Sequence, residues 1–410
     1  MREEGARRVS SYFVRGTDLH RSESTIMRKW PLVLLTVVLL LAACGGGQQA
    51  MQTPTTHRPE PTATVVSTAT PTTVAVDPGE VAGLTEDQVA TLLSVEQVED
   101  YPLYTMHYYG AYAEQASWLD GEEWDLAMGS PPPWGCSLLA ALGGRDGMLF
   151  GRNFDWMYSP ALLLFTDPPD GYASVSMVDI AYLEFGDGRA HGLIDLPLGE
   201  RRGLLNAPFL PFDGMNERGL AVGMAAVPPG GMRPDPAKET IGSVEVIREI
   251  LDRASTVDEA AAILQSYNVS MEEVPLHYLI ADRSGRSVLV EFYEGEVVLI
   301  PNEEMWHLAT NFLRASAGES AQGECWRYDR IEERLAEGGG KITTEEAIGL
   351  LADVSQENTQ WSIVYGMSTG DITVTMGRQY NEPHVLHLNL ARETGLGSLE
   401  GVMSMDWTVW

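Results

Sequence analysis

The chain of 410 residues carries 27 Lys and Arg against 58 Asp and Glu, a formal net charge of -31, and 44% of it is hydrophobic. Such an acidic chain, with no basic block after residue 30, lacks the clustered cations that neutralise nucleic-acid phosphates, so nucleic acid is excluded as a partner. Three cysteines, at positions 44, 136 and 325, cannot form a disulfide framework.

Met27-Arg28-Lys29 precedes an apolar run from Pro31 to Ala43, and residues 1–26 read as upstream sequence. A positive start, a short apolar stretch and small residues before the break predict a secretory signal, and the run is short for a membrane span. Leu41-Ala42-Ala43-Cys44 resembles the bacterial lipobox, which implies a signal peptide over 1–44, acylation of Cys44 and a lipoprotein anchored to the extracytoplasmic face of the membrane. A plain signal peptide or an anchor helix is the alternative. Residues 45–77, rich in Thr, Pro, Gly and Gln, bury too little apolar surface to fold and read as a disordered tether. The acidic remainder would be repelled by anionic lipid, which leaves attachment to the anchor at Cys44.

From residue 78 onward there is neither a second linker nor a repeat, and one folded unit is expected. Thr85-Glu86-Asp87-Gln88 is a capping box that opens a helix with Val89, Leu92 and Leu93 on one face. An aromatic stretch follows, and then Met128-Gly129-Ser130-Pro131-Pro132-Pro133, where the prolines forbid regular structure just before Cys136.

After Cys136 the pattern turns to strands: 136–142, 147–156, 173–185, 219–227, 277–292, 296–300, 306–312, 361–367 and 371–380. Helices are expected over 243–254, 257–266 (capped by Thr256), 326–336 and 344–354 (capped by Thr343). Strands, a block of helices and strands again predict an α+β fold, a four-layer αββα sandwich of two antiparallel sheets flanked by helices.

The stretch from Gly135-Cys136-Ser137 to Gly151-Arg152-Asn153-Phe154-Asp155 reads as a hairpin whose return strand brings Arg152 and Asp155 beside Cys136. A cysteine with a guanidinium and a carboxylate nearby suits nucleophilic chemistry and can orient a neighbouring amine. Residues 152 and 155 of a regular strand point to opposite faces, so a bend between them is expected if both are to reach the cysteine.

That stretch, followed by Asp213-Gly214-Met215-Asn216-Glu217-Arg218-Gly219-Leu220 and then Ala309-Thr310-Asn311, resembles the choloylglycine hydrolase superfamily of N-terminal-nucleophile (Ntn) hydrolases, which includes acid ceramidase and autoproteolytic acyltransferases. The resemblance covers about residues 130–390 in the same motif order and implies the αββα sandwich. It also implies autocatalytic scission between Gly135 and Cys136, after which the Cys136 thiol attacks an amide carbonyl and its α-amine serves as base. Arg152 matches the arginine beside the sulfur, and Asp155 the carboxylate that holds the amine. Asn311 matches the side-chain donor of an oxyanion hole, with the backbone around Asn216 as the second donor. Arg327 matches a distal arginine that stabilises the site. Read alone, Asn216 is a turn residue before a strand and Arg327 an ordinary helix-start arginine.

Gly366-Met367-Ser368-Thr369-Gly370 satisfies a serine-hydrolase pattern but lies between two predicted strands, where a hairpin turn is expected instead of a nucleophile elbow. His384 and His387 have the wrong spacing for two ligands on one strand face, and no metal or other cofactor is expected. The expected organisation is a pro-segment or small chain over 78–135 and a catalytic chain over 136–410, acting on a small N-acyl amide through a thioester on Cys136. Transfer of the acyl group to an amine, and a non-catalytic surface-binding lipoprotein of the same fold, are the alternatives. Trp134, Trp156, Met157, Tyr158 and the Pro160–Phe165 run read equally as acyl-pocket wall or as core.

Overall fold

The computed structural model describes residues 79, 81–112, 135–144, 147–271, 274–318 and 320–391, all within the unit Thr73–Trp410. The expected signal, Cys44, the tether 45–77 and Trp134 lie outside the described residues. The first helix, α1 (Glu86–Leu93), opens with the expected capping box, Thr85 and Gln88 each accepting the other's backbone N–H. Strands β1 (Glu96–Glu99), β2 (Leu103–Tyr108), β3 (Ser137–Ala141), β4 (Leu149–Asp155), β5 (Ala161–Thr166) and β6 (Ser174–Asp179) follow. Three 3₁₀ segments, Ile180–Leu183, Asp187–Asp195 and Leu198–Phe209, lead to β7 (Asp213–Asn216) and β8 (Leu220–Ala226).

Next come β9 (Thr240–Gly242), α2 (Glu245–Arg253), α3 (Val257–Ser266), β10 (Asn268–Ser270), β11 (Leu276–Asp282), β12 (Ser287–Tyr293), β13 (Glu296–Pro301) and β14 (Trp306–Ala309). The chain then forms α4 (Trp326–Gly338), α5 (Thr344–Asp353), β15 (Thr359–Gly366), β16 (Asp371–Met376) and β17 (His384–His387). The expected helices form within a residue or two of their predicted bounds, and the caps at Thr256 and Thr343 are present.

Of the two large sheets, one has nine strands in the order β1-β2-β5-β6-β7-β8-β11-β12-β13 and the other six in the order β14-β3-β4-β15-β16-β17, while β9 and β10 form a separate parallel pair. Helices α2 and α3 cover the larger sheet and α4 and α5 the smaller, which makes the four-layer αββα sandwich. Strand parity assigns the faces. On β3 and β4, Leu138, Ala140, Phe150 and Phe154 fill the space between the sheets, while Leu139, Ala141 and Leu149 pack against α4 and α5. The sheets pack closely at Gly223, where a Cβ would lie 2.5 Å from Leu138 Cδ2.

Several elements differ from expectation. The larger sheet is not wholly antiparallel: β2 pairs parallel with β5 over six residues. The aromatic stretch ahead of Cys136 thus supplies a strand to the larger sheet, because alternate side chains find buried places on both of its faces. The run Pro160–Phe165 supplies β5, wholly buried between β2 and β6, which is the core reading.

The strand expected over 173–185 stops at Asp179, whose carboxylate accepts the Ala181 N–H at 2.9 Å and caps a 3₁₀ turn. Gly366–Gly370 is the hairpin turn between β15 and β16.

Burial pushes the Asp179 carboxyl up to about 7, against about 3.9 in an unfolded chain. The ionised form is therefore penalised in the fold: stability is fully present below about pH 4 and is lost as pH rises toward 7, by an amount of the order of 4 kcal/mol. Asp179→Asn, which keeps the capping oxygen, should melt at a higher temperature than the wild type at pH 8, with the difference fading toward pH 4 in thermal-melt series.

Candidate active site

Cys136 immediately precedes β3 and is buried, with 5% of its surface exposed. Its parity continues that of Leu138, so its side chain belongs to the inter-sheet face. There Arg152 Nη2 points at Cys136 Sγ, 3.8 Å away. Arg152 is itself fully buried, and its Nη1 donates to Asp213 Oδ2 at 2.7 Å and to the Phe212 carbonyl. Asp213, on β7 of the opposite sheet, also accepts from the Tyr365 hydroxyl at 2.6 Å and from Trp361 Nε1 at 3.4 Å. Burial works against the Arg152 charge, but the Asp213 carboxylate and the Cys136 sulfur outweigh it and hold the guanidinium above its ordinary range.

Asp155 takes the other face. No bend brings it to the Arg152 side; it projects as strand parity requires and reaches the link between Gly135 and Cys136 through Gln356. Its Oδ2 accepts from Gln356 Nε2 at 2.8 Å, and the same nitrogen donates to the Gly135 carbonyl at 3.1 Å. Thr359 Oγ1 donates to Oδ1. Burial raises the Asp155 carboxyl, while the Thr359 and Gln356 hydrogen bonds hold it partly down. The sulfur of Cys136 is thus addressed from the inter-sheet side and its peptide link to Gly135 from the helix side. The irregularity expected in β4 falls on its partner instead: β15 shifts register between Thr359 and Trp361, which brings Thr359 opposite Asp155.

Arg327, in the first turn of α4, closes the third side. Its Nη1 donates to the Cys136 carbonyl and to Ser137 Oγ, and its Nη2 donates to Asn311 Oδ1 at 2.8 Å. With its oxygen so engaged, Asn311 turns its amide nitrogen to the Ala226 carbonyl at the end of β8, 2.7 Å away. That amide keeps a second N–H for another acceptor. The loop after Asn311 is tied down by Glu291, which accepts the Arg314 and Ala315 N–H groups at 2.8 and 2.7 Å and meets His277 Nδ1 at 3.0 Å.

Arg152, Asp155, Asn311 and Arg327 therefore gather around Cys136 and its link to Gly135, and Asn216 does not. Three residues beyond Asp213 on the same strand, its side chain points to the opposite face of the sheet, where Nδ2 donates to the Leu251 and Ala254 carbonyls of α2. Its Oδ1 accepts the Arg218 and Leu220 N–H groups. The turn it organises packs at Gly219 against the Met367 carbonyl, beside the start of β4 and hence at the far end of the hairpin from Cys136. The backbone donor expected near Asn216 is not supplied there, and the turn reading holds.

Sequence reasoning left Asp213 without a role and missed Gln356, Thr359 and Glu291. Asp213 was visible only as part of a motif, and a lone Gln in a loop carries no signal at all.

The site places a buried cysteine beside a guanidinium between the two sheets of an αββα sandwich. The model of the linear amide C-N hydrolases, choloylglycine hydrolase family, matches residues 136–304, and over that stretch the chain is similar to those hydrolases. Among solved structures, a mutant of the conjugated bile acid hydrolase from Clostridium perfringens is 17% identical over 65% of this chain and 100% of its own, with a TM-score of 0.46. The penicillin V acylase from Agrobacterium tumefaciens is 16% identical over 63% of this chain and 89% of its own, with a TM-score of 0.41.

Removing the buried counterion should be costly, because Arg152 would be left charged between two sheets. Asp213→Asn is expected to lower stability by roughly 3–5 kcal/mol, read from the denaturant midpoint.

Proposed function

We propose that this protein is an autoprocessing cysteine amidase that hydrolyses the amide bond of a small N-acyl substrate through a thioester on Cys136. The observation that carries the reading is the surrounding of one cysteine on all sides. Arg152 lies at its sulfur, Asp155 and Gln356 lie at the peptide bond before it, and Arg327 and Asn311 lie at its carbonyl side. The family match begins at Cys136, as suits a mature chain whose first residue is the nucleophile.

In the mature enzyme the α-amine of Cys136 takes the thiol proton, the sulfur adds to the substrate carbonyl, and the amine product leaves with that proton. Water then cleaves the thioester. The second N–H of Asn311 suits the oxyanion that forms in both steps.

An apolar acyl group fits the surroundings. A cavity of about 160 Å³ lined by Val227, Pro229, Met232, Met271, Leu276 and Phe292 begins one residue beyond Ala226, whose carbonyl Asn311 holds. Such apolar lining beside a few fixed polar groups is the usual make-up of a small-molecule site.

The intact mass of the purified chain, beside a Cys136→Ala control, tests the reading. The wild type should separate into two pieces with a new N-terminus at Cys136, and the control should stay whole. If both stay whole, Cys136 never gains its α-amine, and a non-catalytic binding protein becomes the better account. Incubation of the cleaved protein with an acyl amide, with and without an added amine, distinguishes hydrolysis from acyl transfer.

We also propose that the protein is exported and held at the membrane by acylated Cys44. The support is the sequence Leu41-Ala42-Ala43-Cys44 with the Thr- and Pro-rich segment that follows. Cys44→Ser should move the protein from the detergent phase to the aqueous phase in a detergent partition of whole cells.

A further inference from the structure

The polar contact on the bond before Cys136 has a chemical role that the amidase reading leaves open and the sequence motifs do not contain. Gln356 lies in the loop between α5 and β15, where its N–H donates to Thr359 Oγ1 at 2.8 Å. Its side-chain nitrogen reaches two oxygens, Gly135 O at 3.1 Å and Asp155 Oδ2 at 2.8 Å. An amide nitrogen carries two protons, so both contacts can be made at once. The carboxylate also settles which way the amide faces: an oxygen turned toward Asp155 would meet only acceptors. Asp155 thereby aims an N–H at the carbonyl of the residue before Cys136.

We propose that Gln356 is a catalytic residue of self-cleavage, the oxyanion donor for scission of the Gly135–Cys136 bond. The inference rests on the autoprocessing reading above and deepens it. The Cys136 sulfur adds to the Gly135 carbonyl carbon, and the electron pair of the C=O moves onto Gly135 O, where the Gln356 N–H meets it. The C–N bond then breaks, and the thiol proton passes to the Cys136 nitrogen, which becomes the free α-amine. The Gly135 acyl group is left as a thioester on Cys136. Water hydrolyses that thioester to the Gly135 carboxylate and regenerates the thiol.

The same contact explains why glycine stands at 135. A Cβ there would lie 1.8 Å from Gln356 Nε2 and 3.1 Å from the Asp155 Cβ. Any larger residue would displace the donor. Gly135→Ala and Gln356→Ala therefore damage one and the same contact, and their effects should not add.

The test follows full-length chain made in a cell-free system, sampled over time by intact mass. Wild type, Cys136→Ala, Gln356→Ala, Gln356→Glu, Gly135→Ala and the Gly135→Ala/Gln356→Ala double variant are compared. Loss of one preorganised oxyanion donor costs roughly 100-fold to 1,000-fold in rate, so Gln356→Ala should cleave that much more slowly, with the double variant no slower than either single one by more than a few-fold.

Gln356→Glu supplies a readout that a merely structural role would not move. Its carboxylate cannot donate at pH 8, but it can once protonated, so its rate relative to wild type should climb as pH falls to 5. Melting temperatures are compared with that of Cys136→Ala, which stays uncleaved and gives the proper precursor reference.

If wild type does not cleave, the autoprocessing reading fails. If wild type cleaves and a Gln356 variant that melts like the Cys136→Ala precursor cleaves within a few-fold of it at pH 8, the role of Gln356 is overturned.

Discussion

The site depends on a single buried ion pair that joins the two sheets. Arg152 rises from the smaller sheet and Asp213 from the larger, and both are fully buried. A guanidinium taken out of water in this way is tolerable because it is paired and both of its Nη groups find partners, while its buried Nε has none among the described residues. The pair is held in turn by the Tyr365 hydroxyl and by Trp361, and the guanidinium lies 4.9 Å from the centre of the Phe154 ring. What it leaves for chemistry is one nitrogen pointing at the Cys136 sulfur. Register between the sheets is therefore also register between the cation and the nucleophile.

The second constraint is the period-two geometry of the hairpin β3–β4. Arg152 and Asp155 cannot share a face, and they do not need to. A cysteine at a strand start offers its side chain to one layer and its preceding peptide bond to another. The inter-sheet layer supplies Arg152 for the sulfur. The outer layer supplies Asp155, Thr359 and Gln356 for the bond to Gly135. In the function proposed above, one residue would thus serve two reactions from two sides, first as the object of its own scission and then as the nucleophile for substrate.

The segment ahead of Cys136 has a place in this arrangement that composition did not suggest. Its described part forms α1, β1 and β2, and β2 extends the larger sheet beside β5. Side chains of β2 lie in the core on both faces: Leu103 in the inter-sheet cluster, and Tyr104, Met106 and Tyr108 with α1 and the 3₁₀ segments. A strand so buried would leave a large apolar face exposed if it departed, so under the proposed scission this piece would remain bound.

Much of the protein was legible in the sequence because the signals were local. The caps at Thr85, Thr256 and Thr343 act over three residues, and amphipathic periodicity gave α2 to α5 nearly to their ends. The hairpin from Cys136 to Asp155 brought the nucleophile, Arg152 and Asp155 together through one short turn, and the spaced motifs added Asn311 and Arg327. What only the tertiary structure decided depends on contacts between residues far apart in the chain. Gln356 meets Gly135 across 221 positions, and Arg152 meets Asp213 across 61. Asn216 shows the same limit from the other side. It stands in the expected motif, but its face of the sheet follows from the register of β7 against β6 and β8, and that register turns its side chain to the helices. Sequence determines which groups are available; the pairing of distant strands determines which of them face one another.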